Sequence, residues 1–278
     1  SALFRVPWLD KAPPELFGDE VDVGYQAYSL LKTGRDLYNQ PLPTYIHSLA
    51  EWRAPLLMYA TVPTIAAFGN NEWGVRLPQA IFGLLAPLIL FLLVYRTSRV
   101  AVLSFFCAFA LALMPWHIHY SRVAFEVIIM LDLILLGTLL FLKNRFILSA
   151  LCFALSLYTY STAALFTPLL IITLFLFTRA RPHRFSIPVF ILVLLPFIGN
   201  LLTGHASDRF GLLSVFNSPE LIKSINSLRV QDASSLAPFW HNKIETYSRS
   251  LLDNYLRAYS SEFLFVRGDP VYRHSIQV

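Results

Sequence analysis

Gly74-Val75-Arg76-Leu77-Pro78-Gln79-Ala80-Ile81-Phe82-Gly83-Leu84-Leu85-Ala86-Pro87-Leu88-Ile89-Leu90-Phe91-Leu92-Leu93-Val94-Tyr95 decides the fold class. Its one charge, Arg76, lies in the first turn. As a helix rising ~1.5 Å per residue, the run is long enough to cross ~30 Å of hydrocarbon. Further apolar runs follow at about 100–116, 123–142, 146–162, 164–178 and 185–202. Six such segments predict an all-α, polytopic membrane protein. Composition agrees: 56% of residues are hydrophobic and 14% charged, with mean hydropathy +0.55, whereas a soluble domain carries about 25% charged residues.

The charges between the runs set the orientation. Arg96 and Arg99, then Lys143 and Arg145, then Arg179, Arg181 and Arg184 fall in alternate loops that hold no acid. Such loops face the cytoplasm. The intervening loops, 70–73, 116–122, the neighbourhood of 158–162 and everything after Leu202, then face outward. The net charge of +5 is therefore an orientation signal and not a nucleic-acid surface. Of 17 acidic residues, Asp132 alone lies deep in a run; a helix–helix hydrogen bond is its expected role. Cys107 and Cys152 sit inside apolar runs, with no zinc spacing and no disulfide framework.

Ahead of the spans, residues 20–33 place Val21, Tyr25, Tyr28 and Leu31 near one face and stop at Gly34. This reads as an interfacial amphipathic helix. Residues 53–68, short and with two prolines, read as a second. Residues 1–202 are thus expected to form a membrane-embedded core whose first span is cut short. Residues 203–278, with a helical pattern over Lys243–Tyr259, are expected to form an extracytoplasmic loop region with surface helices. The opening Ser1-Ala2-Leu3-Phe4-Arg5 reads like the tail of something longer, and a C-terminal part is expected beyond Val278.

By the same alternation the residues able to do chemistry gather on the outer face. Asp19 and Glu20 follow a Pro13-Pro14 turn, and Asp22 adds a third acid. Asp19 reads either as a helix N-cap or as a carboxylate that takes a proton from an acceptor hydroxyl or holds a divalent cation. Pro115-Trp116-His117-Ile118-His119-Tyr120-Ser121-Arg122-Val123-Ala124-Phe125-Glu126 joins two runs. There Arg122 and Glu126 are spaced for an intrahelical ion pair, or Arg122 grips a phosphate and Glu126 serves a catalytic centre with Asp19. His117 and His119 alternate, but no third metal ligand is spaced for them. Tyr158-Thr159-Tyr160-Ser161-Thr162 reads as an aromatic belt or as the wall of a sugar site. Arg267 and Arg273 flank Gly268-Asp269-Pro270, a turn that suits either a surface loop or a phosphate site.

In order, Pro13–Glu20, Gly24-Tyr25-Gln26-Ala27-Tyr28-Ser29-Leu30, Trp73-Gly74-Val75-Arg76-Leu77-Pro78, Pro115-Trp116-His117, Ser121-Arg122 and Phe125-Glu126 resemble the GT-C superfamily of bacterial membrane glycosyltransferases. The likeness is to protein O-mannosyltransferase-like and lipid A aminoarabinose transferase-like enzymes. The resemblance implies a GT-C-like helix bundle in the bacterial inner membrane. It also implies inverting transfer from a polyprenyl-phosphate sugar to an extracytoplasmic protein, lipid or glycan acceptor. Asp19, Glu20 and Glu126 would be its catalytic carboxylates. Arg122, Arg267 and Arg273 would bind donor phosphate, and His117, His119, Tyr158, Tyr160 and Asp269 would line the substrate. Any divalent cation would sit on Asp19 and Glu126. The partners are the lipid-linked donor, membrane lipids and an acceptor the sequence does not name; nucleic acid is excluded. A lipid-linked-sugar flippase would place polar groups at mid-membrane and show a repeat. Only Asp132 is that deep and no repeat is visible, which leaves the flippase and a non-catalytic scaffold as alternatives.

Overall fold

The computed structural model describes residues 1–48, 51–178, 183–206, 219–232, 234 and 237–266. It divides into two compact units, Ser1–Asp208 and Arg209–Gln277.

The first unit opens with a short helix α1 (Ala2–Arg5), an irregular strap, and α2 (Gly18–Thr33). A two-stranded antiparallel hairpin follows, β1 (Ile46–Ser48) and β2 (Glu51–Arg53), with Ile46 opposite Arg53 and Ser48 opposite Glu51. Then come α3 (Leu56–Phe68), α4 (Glu72–Ser98), α5 (Ala101–Leu113), α6 (Pro115–Tyr120), α7 (Val127–Leu142), α8 (Phe146–Ser156), α9 (Ala163–Thr178) and α10 (Ser186–Leu202). The all-α expectation is met, and the apolar runs are helices.

Helix α4 is the axis of the unit. The Asn71 side chain accepts from the Gly74 amide at 3.0 Å and caps its start. Among the described residues it is the one helix long and apolar enough to cross a membrane unaided. It packs against α3, α5 and α7. Helix α7 runs beside it in the same direction. Gln79 on α4 donates to the Phe125 carbonyl just ahead of α7, and Arg96 at the far end donates to the Leu142 carbonyl at 2.8 Å. Large side chains on α5, α9 and α10, among them Phe106, Leu176 and Leu192, remain exposed, as expected of a surface facing hydrocarbon.

Several boundaries differ from the sequence reading. The runs 100–116, 123–142 and 146–162 shorten to α5, α7 and α8. Pro115 has no amide hydrogen and opens a new helix, α6, instead of extending α5. Residues 121–126 form turns before α7, and hydroxyl-rich 157–162 turns before α9. The 53–68 helix begins at Leu56, because Arg53 is the last residue of β2. Asp19 and Glu20 lie inside the first turn of α2, whose N-cap is Phe17, so Asp19 is not the cap. Glu20, Val23, Gln26, Ala27 and Leu30 form the buried face of α2, while Val21, Tyr25 and Tyr28 point outward. The small residues make that choice: a Cβ on Gly24 would stand 2.5 Å from Asn70 Oδ1 and 2.9 Å from Val75 Cγ2, so α2 lies directly on the start of α4. The resulting core joins Val23, Ala27 and Leu30 to Ile46, Leu57, Met58, Val75, Ala124 and Ile129.

The second unit holds α11 (Pro219–Gln231), α12 (Ala237–Trp240), α13 (Lys243–Ala258) and a π-helical turn, Glu262–Val266. Asn242 caps α13 through the Glu245 amide at 2.9 Å. Ile244, Leu251, Leu252, Tyr255 and Leu256 on α13 are exposed.

Candidate active site

The hairpin, α2 and the turn ahead of α7 bring three carboxylates to one guanidinium. Ile46, Ser48, Glu51 and Arg53 share a face of the hairpin, since partners in register lie on one side and side chains alternate along each strand. That face meets α2. Arg53, 1% exposed, donates to Glu126 Oε1 from Nη2 at 2.6 Å and from Nε at 3.1 Å. Its other edge faces α2, with Nη1 3.6 Å from Asp19 Oδ1 and 3.9 Å from Asp22 Oδ2. Nη1 itself makes no hydrogen bond among the described residues. Burial pulls the Arg53 pKa down, but Glu126, Asp19 and Asp22 together outweigh it and hold it above its ordinary value.

The three acids are not equivalent. Asp22 accepts from the Ser48 hydroxyl at 2.5 Å and from Gln26 at 3.5 Å. Gln26 in turn donates to the His47 carbonyl and accepts from the Leu37 amide, fixing the hairpin and the loop before it. Glu126 is 3% exposed and held by Arg53. Asp19 is 34% exposed. Its side chain makes no hydrogen bond among the described residues, so it is the carboxylate of this group that an incoming hydroxyl can meet.

Glu20 has a different setting from its neighbour. It is fully buried and bidentate with Arg76, at 2.8 Å for both contacts. It also accepts from the Ala124 amide at 3.1 Å and the Phe17 amide at 3.4 Å. The remaining Arg76 donors reach the carbonyls of Leu9, Pro13 and Glu15. Arg122 does not pair with Glu126, because the chain between them is not helical. Its guanidinium donates to the carbonyls of Phe4, Trp8 and Ala12. Burial, and Arg76 beside it, lower its pKa. Two arginines thus clamp the strap that leads into Asp19.

The other expected positions scatter. His117 is fully buried on α6, with Nδ1 2.7 Å from Arg5 Nη2. Burial and then the Arg5 charge push its pKa down to about 3, so it is neutral. His119 lies on the same short helix, its ring against Tyr120. Tyr158 is buried, in a cluster with Tyr45, Ala54 and Phe197. Its hydroxyl donates to the Val193 carbonyl at 2.6 Å and accepts from the Phe197 amide at 2.9 Å, entering the α10 ladder where Pro196 lacks an amide hydrogen. Tyr160 is half-buried in the turn beyond it. Arg267, Asp269 and Arg273 lie outside the described residues. Asp132 is buried in α7, and neither oxygen has a hydrogen-bond partner among the described residues, so the expected interhelical bond is not made.

Asp19 and Glu126 meet different edges of the Arg53 guanidinium. No group of three His, Cys, Asp or Glu suited to a metal occurs among the described residues. Arg53 is the residue sequence reasoning missed. Its signal was present: a cation in Glu51-Trp52-Arg53-Ala54-Pro55, ahead of an apolar helix and on the same expected face as the acids.

A family model described as dolichyl-phosphate-mannose-protein mannosyltransferase matches residues 53–202. Comparisons with curated proteins and with solved structures return no match.

Proposed function

The chain belongs to the dolichyl-phosphate-mannose-protein mannosyltransferase family of GT-C membrane glycosyltransferases, and we propose that it transfers a sugar from a polyprenyl-phosphate donor to an extracytoplasmic acceptor with inversion, using Asp19 as the base. It is a membrane glycosyltransferase of the mannosyltransferase type, and the family implies a lipid-linked donor. The observation that carries the proposal is the contrast among the acids: Asp19 is partly open and only loosely paired, while Glu20, Asp22 and Glu126 are buried and bonded.

In this reading the acceptor hydroxyl binds against Asp19 Oδ. The carboxylate takes its proton as the acceptor oxygen attacks the anomeric carbon from the face opposite the phosphate. The bond from that carbon to the phosphate oxygen breaks, and the polyprenyl phosphate leaves with the electron pair. Phosphate is already a competent leaving group, so no enzyme nucleophile is needed. Arg53, with Nη1 3.6 Å from Asp19 Oδ1, holds that carboxylate in position. Positive charge at the donor phosphate would stabilise the leaving oxygen. Glu20 and Arg122 act on Asp19 through the strap. His119 and Tyr160 are the proposed lining residues; His117 and Tyr158 hold α6 and α10 in shape. The catalytic unit in this reading is 1–202, in a bacterial inner membrane with Asp19 outside, followed by an extracytoplasmic loop region, 203–278.

The test is sugar transfer by membrane vesicles supplied with a polyprenyl-phosphate mannose and a hydroxyl acceptor. Asp19→Asn is expected to lower the rate ~10²-fold or more while leaving the melting temperature unchanged. Wild-type activity in that variant removes Asp19 from the mechanism.

A further inference from the structure

Sixteen residues of α7, at ~1.5 Å each, put its far end about 24 Å from the acid cluster. A cavity of about 120 Å³ lies there among α7, α8, α9 and α10. Phe141, Phe146, Phe153, Phe175 and Phe190 line it, with Ala150 in its wall. Phe141 stands edge-on to Phe146 and Phe175, at 5.3 and 5.1 Å between centroids. Phe153 sits where Gly137 has no side chain. The volume is several times the ~30 Å³ of a water, and apolar walls offer water no partners.

The rim has the opposite character. Lys143 and Arg145 immediately precede Phe146, and Arg184 stands just before Ser186 and Ile187 of the lining. All three are exposed. None makes an ion pair among the described residues, and the sequence has no Asp or Glu between Asp132 and Asp208. The Arg184 guanidinium lies 4.8 Å from the Phe185 ring, which keeps it at the level where apolar surface meets water.

We propose that this end of the bundle binds one anionic phospholipid from the leaflet remote from Asp19, with an acyl chain in the phenylalanine-lined cavity and the phosphate on Lys143, Arg145 and Arg184. Each half of the site selects against another ligand. A free phosphate has no use for a dry aromatic cavity, and a zwitterionic lipid gains little from uncompensated cations. An anionic headgroup with a chain attached fits both.

The test uses the full chain in micelles with equal phosphatidylglycerol and phosphatidylcholine, read by native mass spectrometry. Wild type is expected to retain phosphatidylglycerol in preference to phosphatidylcholine. Lys143→Gln, Arg145→Gln and Arg184→Gln should each weaken phosphatidylglycerol retention by about fivefold and leave phosphatidylcholine unaffected. Ala150→Trp, which fills the cavity, should reduce retention of both lipids. The glutamine changes are on exposed side chains, so they decide the matter if Ala150→Trp fails to fold. Equal retention of the two lipids by wild type overturns the proposal, as does indifference to the glutamine variants. A cross-link from Ala150→Cys to another segment of the chain also overturns it.

Discussion

Asp19 and Glu20 are neighbours in sequence with opposite surroundings, and the helix explains why. Adjacent helical positions are 100° apart, so one carboxylate turns toward Arg76 in the core and the other toward Arg53 and solvent. Losing half of a buried ion pair strands a charge and costs about 3–5 kcal/mol. Arg76→Met should therefore lower stability by that amount, as seen by thermal denaturation in detergent, whereas Asp19→Asn should not. Similar losses in the two variants would mean that the acids are not divided in this way. His117 makes a second prediction at this scale. Its pKa is 6.5 ordinarily and about 3 in the folded chain, lowered by burial and Arg5. Above pH 6.5 it is neutral folded or unfolded. As pH falls below 6.5 the unfolded state takes up the proton first, so stability is lost. The decline in melting temperature between pH 6.5 and 4 should be shallower in His117→Gln; an unchanged slope would show that other groups dominate.

At the scale of elements, contacts that place the site are made by groups with no chemical role. Gly24 lets α2 lie on the start of α4, and that approach presents Asp19 and Asp22 to the hairpin. Gly24→Val should cost about 1–3 kcal/mol as overpacking and reduce transfer beyond what the stability loss explains, because Asp19 is displaced from Arg53. Transfer that follows stability alone would show that α2 is less tightly coupled to the site. Tyr158 serves α10 in the same manner. Tyr158→Phe leaves the Val193 carbonyl and Phe197 amide without their shared partner, a loss of about 1–3 kcal/mol. Differential melting checks this, and a neutral result would mean that the α10 ladder closes by itself.

For the molecule as a whole, alternating basic loops predict one orientation. In a Cys107→Ala, Cys152→Ala background, Asn144→Cys should react with an impermeant maleimide only from the cytoplasmic side, and Asn39→Cys only from the other. Labelling of both from one side would refute the charge-based topology and, with it, the outward placement of Asp19. The paired readout is needed because, among the described residues, the apolar helices other than α4 are 10–17 residues long, so helix length alone does not fix their crossing.

Much of the architecture was legible in the chain. Helical class, the order of apolar segments and the gathering of acids near α2 depend on composition and period, which are local properties. The stops at Pro115 and in the hydroxyl-rich 157–162 segment are also local signals, yet uninterrupted hydropathy masked them. The hairpin was not legible: each strand is three residues long and gains stability from α2, not from its own propensity. The partners of the charges were the least legible of all. Arg53 and Glu126 are 73 residues apart, and Arg122 turns to carbonyls more than 100 positions away. The sequence by itself determined that this protein is a membrane-embedded helical transferase with acids ahead of its spans. Only the tertiary structure decided that Arg53 is the cation at those acids, that Glu20 is buried, and that Asp19 remains open. A charged group's role depends on which desolvated partners surround it, and packing brings those partners from distant parts of the chain.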